Sequence, residues 1–336
     1  MDLSTNYMGL TLKNPLIGSS SPIWSDESNV KRFEQAGGAA IVLYSLFEEQ
    51  VVLDEKSKKN AAYADKDDVE SFTYLPDFGH YSFSPQQYLD FIDKVKKSTT
   101  IPIIASLNGT TAGEWTHYAS EIEECGADGL ELNIYSIADD PLLSAPSVEE
   151  SYLELIRIIR KSIKIPFAVK MSPYFSSVPN MVKRIRDTGV DGIVLFNRLY
   201  EPDINLKTLD VLPALRLSSS EDLKMRLRWA SILFDKVAID IGISGGVHTA
   251  QDVIKSKVAG AKAVMMTSRL LKGDIEGVKD ILAEISSWLD RNGYSSLGEI
   301  EGMLSELTVD HLRHFRRAEY LRVLGNYREW IKRQEG

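Results

Sequence analysis

The side chains best suited to chemistry fall at the ends of short apolar runs. Lys170 sits inside one of them, Phe-Ala-Val-Lys-Met over residues 167–171. A charged amine in such a run is costly unless it meets an anion, reaches water along its own stem or serves a reaction. Two chemistries suit it: a cation beside an electron-rich cofactor ring, and a Schiff-base amine of the aldolase type. The plainer alternative is a strand-end lysine whose amine snorkels to water. Asn108, Asn133 and Asn197 end three further runs. They offer the paired donors and acceptors that a flat heterocycle with imide-like edges requires. Gly245 and Gly246 interrupt the chain after the run at 237–243, and Thr267-Ser268 follow the run at 263–266. Such glycines let backbone N–H groups approach an anion, and helices that start just beyond both turns would add their positive ends. That combination suits phosphate, whereas a tight strand-to-helix turn would need the glycines alone.

Other chemistries lack their residues. The five histidines (His80, His117, His248, His311 and His314) form no HExxH, and no paired cysteines or compact carboxylate cluster offers metal spacing, so no metal is expected. No GxGxxG follows a strand to hold a dinucleotide. Cys125 stands alone, which excludes an iron–sulfur cluster and an intrachain disulfide and fits a reducing compartment. A net charge of −9 disfavours nucleic acid and anionic membranes as partners, which leaves a small-molecule substrate. With no signal peptide and no bilayer-length apolar run, a cytoplasmic location is expected.

The elements that must position these residues alternate regularly. Strands are predicted near residues 16, 40, 103, 130, 167, 193, 237 and 263. Helices are predicted over 26–36, 85–97, 112–124, 148–162, 178–188, 221–234 and 275–291, and from Thr249 onward. Eight βα units imply an α/β protein of the (β/α)8 TIM-barrel class, with its chemistry at the carboxyl ends of the strands. Residues 46–84 lose all periodicity, with a charged tract before an aromatic one. They read as a long loop after strand 2, a lid over the mouth or a surface insertion. Leu312, Phe315, Tyr320, Leu324, Tyr327 and Ile331 recur at helical spacing opposite Arg and Lys. Residues 1–305 are therefore expected to form the barrel. Residues 306–336 are expected to form a C-terminal helical extension, packed on the barrel or on the second subunit of a homodimer.

Taken together, KNPLIGSSSP, GLELNIYS, PFAVKMSPYF, IVLFN, and SGGVHTAQD followed by MMTSRLL make residues 7–305 resemble the dihydroorotate dehydrogenase family. The resemblance implies an FMN-dependent barrel that oxidises dihydroorotate to orotate in pyrimidine biosynthesis. It implies that Gly245, Gly246, Thr267 and Ser268 bind the FMN phosphate, helped by Ser219 or Ser220. Lys170 would lie near the pyrimidine edge of the flavin, with Ser19, Ser20 and Ser45 along it. Asn133 would touch both flavin and substrate, Asn197 would bind the substrate, and Arg198 would offer a carboxylate contact. Ser136 falls where the family keeps its proton-abstracting cysteine or serine; as serine is a weak base by itself, water or a neighbouring hydroxyl would relay the proton, His80 being one candidate, and Ser144 or Tyr135 are next in line for the base. The chain departs from the family in following Ser136 with Ile137-Ala138 rather than Pro-Asn, and in having Tyr44 where a lysine is usual. Those departures leave open a relative with another substrate or without catalysis, alongside the colourless lysine aldolase.

Overall fold

Eight of the apolar runs pair into one closed sheet in which every strand is parallel to its neighbours. The computed structural model describes residues 1–62, 83–134, 136–198, 201–212, 216–305, 320–322 and 324–326, with backbone alone over 56–62 and at 114. The chain opens with a hairpin, β1 (Thr5–Tyr7) and β2 (Leu10–Leu12). It continues through β3 (Leu16–Gly18), α1 (Glu27–Gln35), β4 (Ala40–Phe47), α2 (Glu48–Ala62), α3 (Pro85–Ser98), β5 (Ile103–Asn108) and α4 (Tyr118–Glu124). Next come β6 (Gly129–Asn133), α5 (Ala145–Ser162), β7 (Phe167–Met171), α6 (Val178–Arg186) and β8 (Gly192–Leu195). A second hairpin, β9 (Asp203–Asn205) and β10 (Asp210–Leu212), precedes α7 (Leu223–Leu233), β11 (Asp240–Ser244) and α8 (Ala250–Val258). Then come β12 (Ala263–Met266), α9 (Ser268–Leu271), α10 (Val278–Arg291) and a 3-10 turn at Gly298–Ile300, and residues 320–322 and 324–325 are helical. The barrel runs β3-β4-β5-β6-β7-β8-β11-β12 and closes from β12 to β3.

Apolar, β-branched strands are buried on both faces, as a parallel sheet under helices requires. Every residue of β6, β7, β8 and β12 is buried. Their outward side chains join the helices in one large core, and a smaller cluster fills the amino-terminal end of the barrel. The first hairpin plugs that end with Tyr7, Met8 and Leu12 against Ile17, Val42, Ile104 and Val194. Glycines on the strands make room for the plug. A Cβ on Gly192 would lie 2.8 Å from Met8, and one on Gly242 would lie 3.0 Å from the Tyr7 hydroxyl. The Met8 N–H donates to Asp240 at 2.8 Å, and burial holds that carboxyl above its ordinary range. That packing closes the amino-terminal end of the barrel.

The expected strands and helices recur with shifted ends. The helix expected over 221–234 begins as a 3-10 turn at Ser220–Asp222 before α7, and the one expected over 112–124 begins with a 3-10 turn at Glu114–His117. Two elements differ from the sequence reading. Within 46–84, α2 occupies the first part, where a charged sequence of weak amphipathicity hid it; residues 63–82, with His80 and the lid expected there, lie outside the described residues. The hairpin β9–β10 went unread because its strands are three residues long and exposed, without the alternation that a half-buried strand imposes. Most of 306–336 likewise lies outside the described residues; Tyr320, Leu321 and Leu324 are exposed.

Candidate functional site

Where the strands end, period-two alternation turns alternate residues inward. Glu131 and Asn133 of β6 point into the barrel, and Ser45, Ser106, Lys170, Ser19 and Ser244 join them there, all buried. Their contacts form one continuous polar layer. The Asn133 amide donates to Ser45 Oγ at 3.0 Å and to Ser106 Oγ at 2.8 Å, and those hydroxyls lie 2.8 Å apart. Ser20 Oγ lies 3.2 Å from Ser45 Oγ. On the other side, Lys170 Nζ donates to Ser19 Oγ at 3.4 Å and meets Glu131 Oε1 at 3.5 Å, while Ser19 Oγ lies 3.1 Å from Ser244 Oγ. Asn133 Oδ1 and Glu131 Oε2 are buried and have no partner among the described residues. A buried acceptor left without a donor is expensive, and Asn133 Oδ1 can be satisfied by a ligand N–H.

A second cluster surrounds the double-glycine turn. Gly245 and Gly246 have φ of +92° and +83°, the left-handed region that favours glycine. Space matters as well: a Cβ on Gly246 would lie 2.4 Å from the backbone nitrogen of Leu223. The Gly246 N–H donates to Ser218 Oγ at 3.2 Å, and that hydroxyl lies 2.8 Å from Ser268 Oγ and 3.4 Å from His248 Nε2. Ser268 Oγ also accepts the Ser218 N–H at 3.0 Å. Burial, then Lys272, pulls the His248 ring below the ordinary imidazole range. The amino end of α8 is closed by its own acid: Asp252 accepts the His248 and Thr249 N–H groups, both at 3.0 Å, and the Ser220 hydroxyl at 2.8 Å. The helix dipole that the sequence reading assigned to an anion is thus answered locally by Asp252.

These clusters open into a cleft of about 290 Å³. Ser20, Lys170, Asn197, Arg198, Gly245, Thr267 and Ser268 line it, and Ser19, Ser45, Asn133 and Gly246 support it from behind through the bonds above. Ser219 stands apart, since its N–H donates to Asp222 at 2.7 Å in a capping box; its neighbour Ser218 lines the cleft. Ser136 is not in this cleft. It lines an adjacent apolar one of about 380 Å³ with Ile134, Ile137, Tyr152 and Phe175, and exposed Tyr174 borders both. Ser144 caps α5 through the Ser147 N–H, and Tyr135 lies outside the described residues. Tyr44 turns away from the barrel interior and packs on Phe83, Tyr88 and Phe91. Four residues went unread in the sequence: Glu131, Ser106, Ser218 and Arg226. Alternation from Asn133 points to Glu131, and the serine run at 218–220 was the signal for Ser218; Arg226 looks like any other charge in a helix.

The plugged amino-terminal end and the polar layer at the opposite mouth define a (β/α)8 barrel with its buried polar groups gathered where the strands finish. The chain belongs to the dihydroorotate dehydrogenase family, whose sequence pattern matches residues 2–289. It is 25% identical over 320 residues to the catalytic subunit of dihydroorotate dehydrogenase B (NAD(+)) from Methanocaldococcus jannaschii, covering 90% of this chain and 98% of that one. The Methanocella arvoryzae protein of the same description is 26% identical over 315 residues, covering 90% and 98%. The Geobacillus one is 30% identical over 208 residues, covering 60% and 66%.

Proposed function

We propose that the protein is an FMN-dependent oxidoreductase that dehydrogenates dihydroorotate or a related cyclic dihydropyrimidine. The observation that carries this reading is the juxtaposition of two different binding chemistries in one cleft. One wall offers Lys170 and Ser20, backed by Asn133 and its serines; the other offers Gly245 with Ser218, Thr267 and Ser268, backed by Gly246. The first suits a flat ring with hydrogen-bonding edges, and the second suits a phosphate, so together they fit one ligand bearing both. FMN bound there would accept hydride, and the protein's task is to hold and bias it. Lys170 would set positive charge beside the ring, tempered by Glu131. Asn133 Oδ1 would accept a ligand N–H, and the two serines it touches fix its amide.

Asn197 and Arg198 stand at the cleft rim, where a guanidinium fork suits a substrate carboxylate. Ser136 would take the substrate proton from the neighbouring cleft, with water or a hydroxyl as relay, because serine is a weak base by itself. The test is direct: the purified protein, or the protein after incubation with FMN, should be yellow with a flavin absorption spectrum. A colourless protein that takes up no FMN contradicts the reading. Trapping of a carbonyl substrate on Lys170 by borohydride would then point to the aldolase chemistry.

A further inference from the structure

We infer that Arg226 is the cation that binds the phosphate of the ligand in this cleft, an inference that rests on the cleft holding a phosphorylated cofactor. Arg226 comes from α7, behind the double-glycine turn, and only 7% of it is exposed. Its Nη1 donates to the Asp222 carbonyl at 2.6 Å and its Nε donates to the Ser244 carbonyl. Both acceptors are neutral. Among the described residues no carboxylate makes an ion pair with Arg226; Asp222, the nearest acid to act on it, turns its carboxylate to the Ser219 N–H at 2.7 Å. A guanidinium has five donors, so two carbonyls leave it under-used, and a buried cation without an anion is a costly arrangement to keep.

Four further observations say which anion would suit it. The guanidinium lies against the turn itself, since a Cβ on Gly245 would stand 2.9 Å from its Nη2 and 3.1 Å from its Cζ. The amino end of α8 is already occupied by Asp252, so that helix end is not open to a ligand and a side-chain cation has more to supply at this turn. Lys170, Arg198, Arg216 and Arg226 line the cleft against Glu201 and Asp222, which leaves cationic side chains in excess. Ser218 and Ser268 line the same cleft as Arg226, with their hydroxyls 2.8 Å apart. A forked guanidinium with two hydroxyls and a glycine turn matches the several oxygens and double charge of a phosphate monoester.

The test compares FMN with riboflavin, which lacks the phosphate, by fluorescence titration of the full-length protein freed of flavin. Wild type should prefer FMN. R226Q should lose about 10- to 100-fold in FMN affinity, the range for a charge-assisted contact, and hold riboflavin unchanged. Equal weakening of both flavins would show that Arg226 only braces α7 against β11, and unchanged FMN affinity would remove it from the phosphate; either result overturns the inference. Should R226Q not fold, R226K decides: a retained preference for FMN that fades with added salt supports the inference, and a lost preference overturns it. If wild type binds neither flavin, the cofactor reading has failed separately, and inorganic phosphate becomes the probe. Phosphate bound by wild type and released by either variant keeps the assignment of Arg226; no phosphate binding by wild type ends it.

Discussion

A single pair decides how the site treats charge. Lys170 and Glu131 are buried together at 3.5 Å, and Glu131 Oε2 has no partner among the described residues. Removing one partner of a buried pair leaves the other charge uncompensated, at about 3–5 kcal/mol. Glu131→Gln should therefore lower stability by roughly 3 kcal/mol in denaturant unfolding, by the same reasoning. With Lys170 no longer neutralised, reduction of the flavin should become easier. A spectroelectrochemical titration should show a more positive potential in the variant, and a more negative one would contradict the arrangement. Ser136→Ala should stop steady-state turnover and leave flavin absorbance intact; full activity would dismiss Ser136 as the base. The sequence made Lys170 legible because a charge in an apolar strand stands out, and Asn133 because it ends one. Glu131 was equally exposed to view two residues earlier, but its meaning depends on a partner from the next strand. No spacing along one strand reports that.

Turns and helix ends do the positioning. Gly246 combines a positive φ with a backbone atom 2.4 Å from where a Cβ would sit, so both strain and collision oppose a side chain. Gly246→Ala should cost about 2–4 kcal/mol and weaken FMN binding, whereas a tolerated alanine with unchanged thermal midpoint and flavin content would contradict this geometry. The double glycine was readable in the sequence for this reason: few other uses explain two adjacent glycines between a strand and a helix. The electrostatics of the same turn were not readable. Thr249 followed by Asp252 reads as a capping box, yet whether that acid closes the helix end or leaves it to a ligand depends on the folded turn. Similarly, Ser218, Ser219 and Ser220 are indistinguishable in sequence. The 3-10 turn at Ser220–Asp222 sends Ser219 to Asp222, Ser220 to Asp252 and Ser218 to the glycine turn.

At the scale of the molecule, the eight-fold alternation carried the barrel, because each buried strand must be apolar and each crossing helix amphipathic. Elements free of that demand, α2 and the β9–β10 hairpin, escaped it. The plugged amino-terminal end, with Tyr7 and Met8 filling the space left by Gly192 and Gly242, leaves the carboxyl mouth as the working face. Around that mouth the wall suited to a flavin is polar and tightly cross-bonded, while the wall beside Ser136 carries Ile137 and Ala138. The measurement that bears most directly on the proposed chemistry is anaerobic mixing of the FMN-loaded protein with dihydroorotate and other cyclic dihydropyrimidines, following the oxidised flavin band. Rapid bleaching by at least one of them at saturating concentration is the predicted result. An oxidised band that persists with all of them would contradict it.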